Sequence, residues 1–309
     1  MPRKFQKTRL TSLSDVDLRL LQVFRTIVTC GGLSAAELVL NIGRSTISKH
    51  LTDLEIRLGM KLCHRGPAGF ALTTEGEQVF EASAHLQAAV DQFRFEVNDI
   101  HQQLVGTLTV GLFDKTVTND DAFIARTFQA FDELAPRVSL RILVQDISEM
   151  ERQILGGQVQ VGIYPVHRKS TSLTYAPLYS EKMYLYCSAG HALFGEKERA
   201  VKVADIRACK YAGLGYQSPN MIASNKLSLK RVAESNSQEA LALLILSDRY
   251  VGFLPDHFAR PYVREGRMRA LRPDQFNYET EFAAVTRKSP KPTRLAAAFL
   301  ACLEDCHGT

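Results

Sequence analysis

The chain has 309 residues, 45% of them hydrophobic and 23% charged, with a formal net charge of +5. That length suits two or three domains, and the composition can fill proper cores, which excludes a disordered polymer. No run of about 18 apolar residues offers a membrane helix. The basic start, MPRKFQKTRLTSLSD, lacks the apolar segment of a secretion signal, so the expected location is cytoplasmic.

The charge is unevenly placed. Residues 1–70 carry eleven Lys or Arg against five Asp or Glu, an excess of +6, so with a total of +5 the rest of the chain sums to −1. A polyanion-binding head joined to a neutral body fits this asymmetry.

Within the head, Ser14-Asp15-Val16-Asp17 can cap a helix whose apolar positions are Val16, Leu20, Val23, Phe24 and Ile27. Gly31-Gly32 stops it. Ser34-Ala35-Ala36-Glu37 has the pattern of a capping box for a short second helix, with Ala35, Leu38 and Val39 as its apolar residues. Asn41-Ile42-Gly43 makes a tight break. A third helix, starting near Arg44 or Ser45, points Ile47, Leu51, Leu54 and Leu58 inward and presents Arg44, Ser45, Thr46, Ser48, Lys49 and His50 outward. A short helix, a tight turn and a helix with a polar outer face is helix-turn-helix geometry, and short Ser and Thr side chains let such a helix approach a major groove closely. A plain three-helix bundle with a solvated face is the alternative, and the charge asymmetry weighs against it. Residues 61–73, KLCHRGPAGFALT, read as a small hairpin or wing anchored by Leu62, with Arg65 placed for a phosphate or minor-groove edge.

Thr74-Glu75-Gly76-Glu77 reads as a second capping box. It opens a helix of about 27 residues, roughly 75 to 102, whose long apolar stripe calls for a partner helix from a second copy. Packing on the following domain is the alternative.

Beyond residue 105, strands and helices alternate: strands at 106–112, 138–144, 159–163, 250–254 and 279–286, helices at 120–134, 148–155, 235–247 and 294–304, and a pair of strands within 174–188. Such alternation argues for a parallel sheet. The cysteines (Cys30, Cys63, Cys187, Cys209, Cys302 and Cys306) are scattered, so a disulfide scaffold is not expected. Cys302, Cys306 and His307 do not have a standard metal spacing and read as a helix end. No metal or other cofactor is expected.

The stretch LRLLQVFRTIVTCGGLSAAELVLNIGRSTISKHLTDLEIRLGMKL, with the wing ending LTTEG, resembles the DNA-binding domain of the LysR-type transcriptional regulators. The later segments GTLTVG, LGGQVQVGIYP, SQEALALLILSDRYVGFLPDHFA and VTRKSPKPTRLAAAFLACL resemble that family's regulatory domain, which shares the fold of periplasmic binding proteins. The resemblance implies an all-α winged helix-turn-helix, a long linker helix, and an α/β two-lobed effector domain. It sets the limits at 13–73, 74–103 and 105–305, with one lobe at 105–180 plus 279–305 and the other at 181–278. It places DNA contacts at Arg44, Ser45, Thr46, Ser48, Lys49 and His50, with Arg65 from the wing. Arg44 stands where the family often has Gln or Asn, Cys63 where it has Phe, and Gln160 where it has an acid, so hydrogen bonding around Gln160 should differ. The implied partners are double-stranded DNA, a small-molecule effector, further copies as homodimer or homotetramer, and RNA polymerase.

An effector between lobes would meet loops beyond the strand ends and helix N-termini. The candidates are Phe113, Lys115, Thr116, Thr118, Gln145, Asp146, Tyr164, Tyr216, Gln217, Ser237 and Phe253. Lys115 with Thr116 and Thr118 suits a carboxylate, although such threonines also serve as helix caps and such lysines also sit in solvent. Other classes find less support. The chain has no G-x-S-x-G, P-loop or H-E-x-x-H that would mark an enzyme, no secretion signal for an exported solute-binding protein, and more body than a simple architectural DNA binder needs.

Overall fold

A computed structural model describes residues 12–66, 69–100, 104–195 and 201–308. The chain divides into two compact units, Met1–Asp91 and Gln92–Thr309.

The first unit holds α1 (Asp15–Thr29), α2 (Leu33–Leu40), α3 (Arg44–Leu58), the hairpin β1 (Cys63–Gly66) and β2 (Gly69–Leu72), and the first part of α4 (Thr74–Ile100). Helix α1 begins at a reciprocal cap. The Ser14 hydroxyl accepts from the Asp17 N–H, and the Asp17 carboxylate accepts from the Ser14 N–H at 2.9 Å. Asp17 is 2% exposed and receives the Arg57 guanidinium from α3, one contact being 2.8 Å. The Arg57 hydrogen bonds, reinforced by Ser14, hold the Asp17 carboxyl well below the usual carboxylate range. A lowered folded pKa stabilises the fold above the unfolded value and is lost as pH falls through the folded one. Thermal unfolding followed by circular dichroism should therefore show a fall in the first unit's melting temperature below about pH 4, and a smaller fall in Asp17→Asn.

Gly31 and Gly32 end α1 with φ of 74° and 153°, where a side chain would be strained. The expected box at Ser34 does not form. Helix α2 starts two residues earlier, with Gly32 as a cap that offers no side chain. The Glu37 carboxylate instead accepts the N–H of Arg44, the first residue of α3. Gly43, the N-cap of α3, also offers no side chain, so Glu37 takes one of that helix's unpaired donors. The buried residue of α2 is Ala36, whereas Leu38 and Val39 are exposed, and Val16 of α1 is exposed too. The core joins Leu20, Val23, Phe24 and Ile27 to Ile47, Leu51, Leu54, Leu62 and Cys63.

Glu55 ties the wing to α3. It is fully buried and accepts the N–H groups of Leu62 at 3.0 Å and Cys63 at 3.4 Å, and the Lys61 ammonium at 2.6 Å. β1 and β2 pair antiparallel from Cys63↔Leu72 to Gly66↔Gly69. Pro67 and Ala68 of the wing tip lie outside the described residues. The cap of α4 is Thr73 rather than Thr74. Its hydroxyl accepts from the Gly76 N–H at 2.9 Å and donates to the Lys61 carbonyl at 2.7 Å. Helix α4 runs 27 residues, and the two further residues expected of it, 101 and 102, lie outside the described ones.

The second unit is α/β. Its strands are β3 (Gly106–Leu112), β4 (Val138–Val144), β5 (Val161–Pro165), β6 (Leu173–Ser188), β7 (Tyr211–Leu214), β8 (Arg231–Ser235), β9 (Val251–Pro255), β10 (Met268–Ala270) and β11 (Asn277–Arg287). Its helices are α5 (Ile124–Leu134), α6 (Ile147–Leu155), α7 (Val203–Ala208), α8 (Pro219–Lys226), α9 (Gln238–Leu246), α10 (Asp256–Arg264) and α11 (Arg294–His307). Among the described residues these strands form one sheet in the order β4-β3-β5-β11-β6-β9-β7-β8, with β10 on β6. β3 lies parallel to β4 and β5 in one lobe, and β7 lies parallel to β8 and β9 in the other. β6 and β11, antiparallel, run through both lobes, with a register shift at Phe282/Ala283. The expected pair of strands within 174–188 is thus one strand of 16 residues, unbroken because its two halves serve successive lobes. The helix expected over 120–134 is broken. A 3-10 turn at Asp120–Ala122 precedes α5, and Phe123 between them is left-handed with φ 48°, its ring edge-on to His307 at 5.3 Å. Gln160 bonds through both ends of its amide: its Oε1 accepts from the Thr109 N–H at 2.8 Å and its Nε2 donates to the Gly157 carbonyl at 3.0 Å.

Candidate nucleic-acid interface and effector cleft

On α3, the buried positions Ile47, Leu51 and Leu54 fix which side faces out. Arg44, Ser45, Thr46 and Lys49 are exposed, and Ser48 is half-buried. His50 is half-buried in a groove between α1 and α3 shared with Val16, Arg19 and Leu20, so it departs from the outer face expected of it. The cause is helical period: His50 follows Ile47 by three residues and precedes Leu54 by four, and both of those are buried. Arg65 lies on β1 opposite Phe70, and its side chain falls outside the described residues.

In the second unit, the loop after β3 reaches across to the other lobe. The Asp114 carboxylate accepts the Gln238 N–H at 2.9 Å and the Ser237 hydroxyl at 3.1 Å, seating it on the N-terminus of α9. Lys115, left-handed with φ 65°, pairs with Glu239 at 2.9 Å and Asp114 at 3.5 Å, and its ammonium stands 5.1 Å from the Phe258 ring centre. Thr116 donates to the Phe113 carbonyl at 2.7 Å. Thr118 donates to the Lys115 carbonyl at 3.0 Å and lies 2.7 Å from His257 Nδ1. His257 Nε2 in turn lies 3.0 Å from Glu181, which also accepts from Asn119 at 3.2 Å. From the loop after β4, Asp146 caps α6 by accepting the Glu149 N–H at 2.9 Å. Tyr216, beyond β7, has a buried hydroxyl with no hydrogen-bond partner among the described residues. Burial, and then the Asp146 and Asp114 charges, push that hydroxyl's pKa up.

Sequence matching decides the family. Residues 18–77 match the bacterial regulatory helix-turn-helix protein, lysR family, and residues 101–306 match the LysR substrate binding domain. The chain belongs to the LysR family of transcriptional regulators. It is 40% identical over 297 residues to the HTH-type transcriptional activator BauR of Pseudomonas aeruginosa, a match covering 96% of this chain and 97% of BauR. The SDS degradation transcriptional activation protein of a Pseudomonas species is 23% identical over 301 residues, covering 94% and 96%. In fold, the chain matches the crystal structure of the LysR regulator CbnR with a TM-score of 0.65 at 16% identity, covering 94% of this chain and 99% of CbnR. Full-length CbnR complexed with its target DNA matches with a TM-score of 0.64 at 17% identity, over the same shares. As a LysR regulator, this chain is a DNA-binding transcription factor with an effector-binding domain, and not an enzyme. The family forms oligomers. No single helix among the described residues is long and apolar enough to cross a membrane.

The expected effector residues of this regulator do not all gather. Ser237 joins the loop of Phe113, Lys115, Thr116 and Thr118, and Gln145, just before Asp146, lies beside the start of that loop, its N–H donating to the Leu112 carbonyl at 3.2 Å. Phe113 is 6% exposed and packs edge-on against Phe282 at 6.0 Å, so it forms the floor of the loop. Gln217 is exposed. Tyr164 and Phe253 are corrected to core residues. Tyr164 is 1% exposed on the α6 side of the sheet, and Phe253 is fully buried between Tyr211 and Tyr278. Their strand positions alternate away from the cleft, a parity that proximity in sequence does not reveal. Asp114 was missed between two chosen neighbours, because a search for a carboxylate's partners passes over acids. Glu55, which ties the wing to α3, carried no sequence signal beyond ordinary helix composition.

Proposed function

We propose that this LysR regulator reads DNA with the exposed face Arg44, Ser45, Thr46 and Lys49 of α3, with Ser48 beside it and Arg65 gripping the backbone from the wing. The observation that carries this is four polar or basic side chains, exposed together on the outer side of a helix whose inner side is sealed by Ile47, Leu51 and Leu54. Hydroxyls near the helix start suit base edges, and Lys49 suits a phosphate. In gel-shift titrations, Ser45→Ala or Thr46→Ala should weaken operator binding about tenfold and leave random-sequence binding unchanged. Lys49→Ala should weaken both and reduce the salt slope by about one. Equal losses on both DNAs for the serine and threonine variants would sink the assignment.

The remaining parts follow the same reading. Helix α4 pairs with its counterpart in a second copy, supported by Phe93, which is 65% exposed on it, and two such dimers make the tetramer. The limits 13–73, 74–103 and 105–305 mark the reading head, the pairing helix and the effector domain. The effector lodges between the lobes 105–180 plus 279–305 and 181–278, and shifts their closure. That shift reaches the bound DNA as a change in spacing or bending, with RNA polymerase as the machinery influenced. The place of action is the cytoplasm. A carboxylate on the effector would compete with Asp114 for the N-terminus of α9.

A further inference from the structure

The chemistry of the effector can be taken further, resting on the reading of the interlobe loops as its cleft. Lys115, Thr116 and Thr118 pointed in sequence to a carboxylate, yet all three are already engaged by the chain itself: Lys115 with Glu239 and Asp114, both hydroxyls with backbone carbonyls. Carboxylates of the chain also sit on two helix N-termini, Asp146 on α6 and Asp114 on α9.

What is left over is acceptors. Asp114 and Glu239 face one lysine, a local excess of one negative charge, and Asp146 adds another just beyond the paired ends of β3 and β4, where Leu112 lies beside Val144. Among the described residues, the side-chain oxygens of Gln145 and Gln238 are buried without partners. Gln238 is 2% exposed, and its own N–H donates to Asp114. The Tyr216 hydroxyl is likewise unpaired. A buried acceptor without a donor costs stability until something supplies one. A bare anion would add charge of the wrong sign and must displace Asp114. A protonated amine brings three donors and a positive charge, matching both deficits.

We propose that the effector carries a protonated amine, bound between Asp114 and Asp146. Isothermal titration of the full chain with three matched sets of short linear probes tests it: aliphatic amines, the corresponding monocarboxylates, and the corresponding amino carboxylates. Saturable binding is expected only with an amine present. Asp114→Asn and Asp146→Asn should each weaken it at least about tenfold, while the melting temperature without ligand stays near that of the parent, since Asn still caps a helix. Saturable binding of amine-free carboxylates, retained or strengthened in the Asn variants, overturns the amine and leaves the cleft standing. Amine binding unmoved by either variant overturns the cleft itself. No saturable binding by any probe overturns the amine assignment.

Discussion

Glu55→Ala should cost the DNA-binding unit about 3 kcal/mol, a large share of a small domain's stability. The carboxylate is fully buried, and its partners include the N–H groups of Leu62 and Cys63 and the Lys61 ammonium. Removing it takes the acceptor from buried backbone donors, at about 1–3 kcal/mol for each one left unpaired, and leaves a cavity beside them. Lys61 is half-exposed, so losing the ion pair adds little of its own. Glu55→Gln keeps an acceptor oxygen and should cost about 1 kcal/mol. Chemical denaturation of both variants, with hydrogen exchange at residues 61–66, would check this. Equal stability of the alanine and glutamine forms would show that the wing is held by other means.

Gly76→Ala is expected to be about as damaging, against the usual rule that alanine improves a helix. A Cβ at Gly76 would stand 2.0 Å from the Leu62 carbonyl oxygen and 2.9 Å from its carbon. Both are backbone atoms of the segment leading into the wing, and that segment is already fixed by Glu55 and by Thr73. No rotamer change relieves the overlap, so α4 or the wing must move. About 3 kcal/mol of lost stability and loss of wing-dependent DNA affinity are expected. Gly43→Ala is the control, because nothing lies within 4 Å of a Cβ there. Matching melting temperatures for the two alanine variants would count against the steric account.

The helix-turn-helix was legible because its signals are local. Leu20, Val23, Phe24 and Ile27 recur at helical spacing, Ser14 and Asp17 stand three apart, and Asn41 takes the left-handed φ of 51° that a tight break needs. Strand and helix alternation beyond residue 105 was legible for the same reason. Capping was the first feature to mislead. Ser34 and Glu37 have the spacing of a box, but Glu37 turns to Arg44, and Thr74 yields to Thr73, because a neighbouring segment supplies the competing partner. The effector cleft was legible only as a set of loops. Lys115 and Glu239 are 124 residues apart, and nothing in either neighbourhood announces the pair.

By itself, then, the sequence determined that a basic helix-turn-helix head leads into a long helix and an α/β body. The distribution of charge, the helical periods and the turn residues all act over a few positions and survive any packing. Tertiary structure alone decided which polar groups are already paired. It buried Glu55 under the wing, turned His50 into a groove, sent Tyr164 and Phe253 into the core, and seated Asp114 on α9. A side chain's chemistry is a property of its residue, but its availability depends on what the folded chain brings within about 3 Å of it.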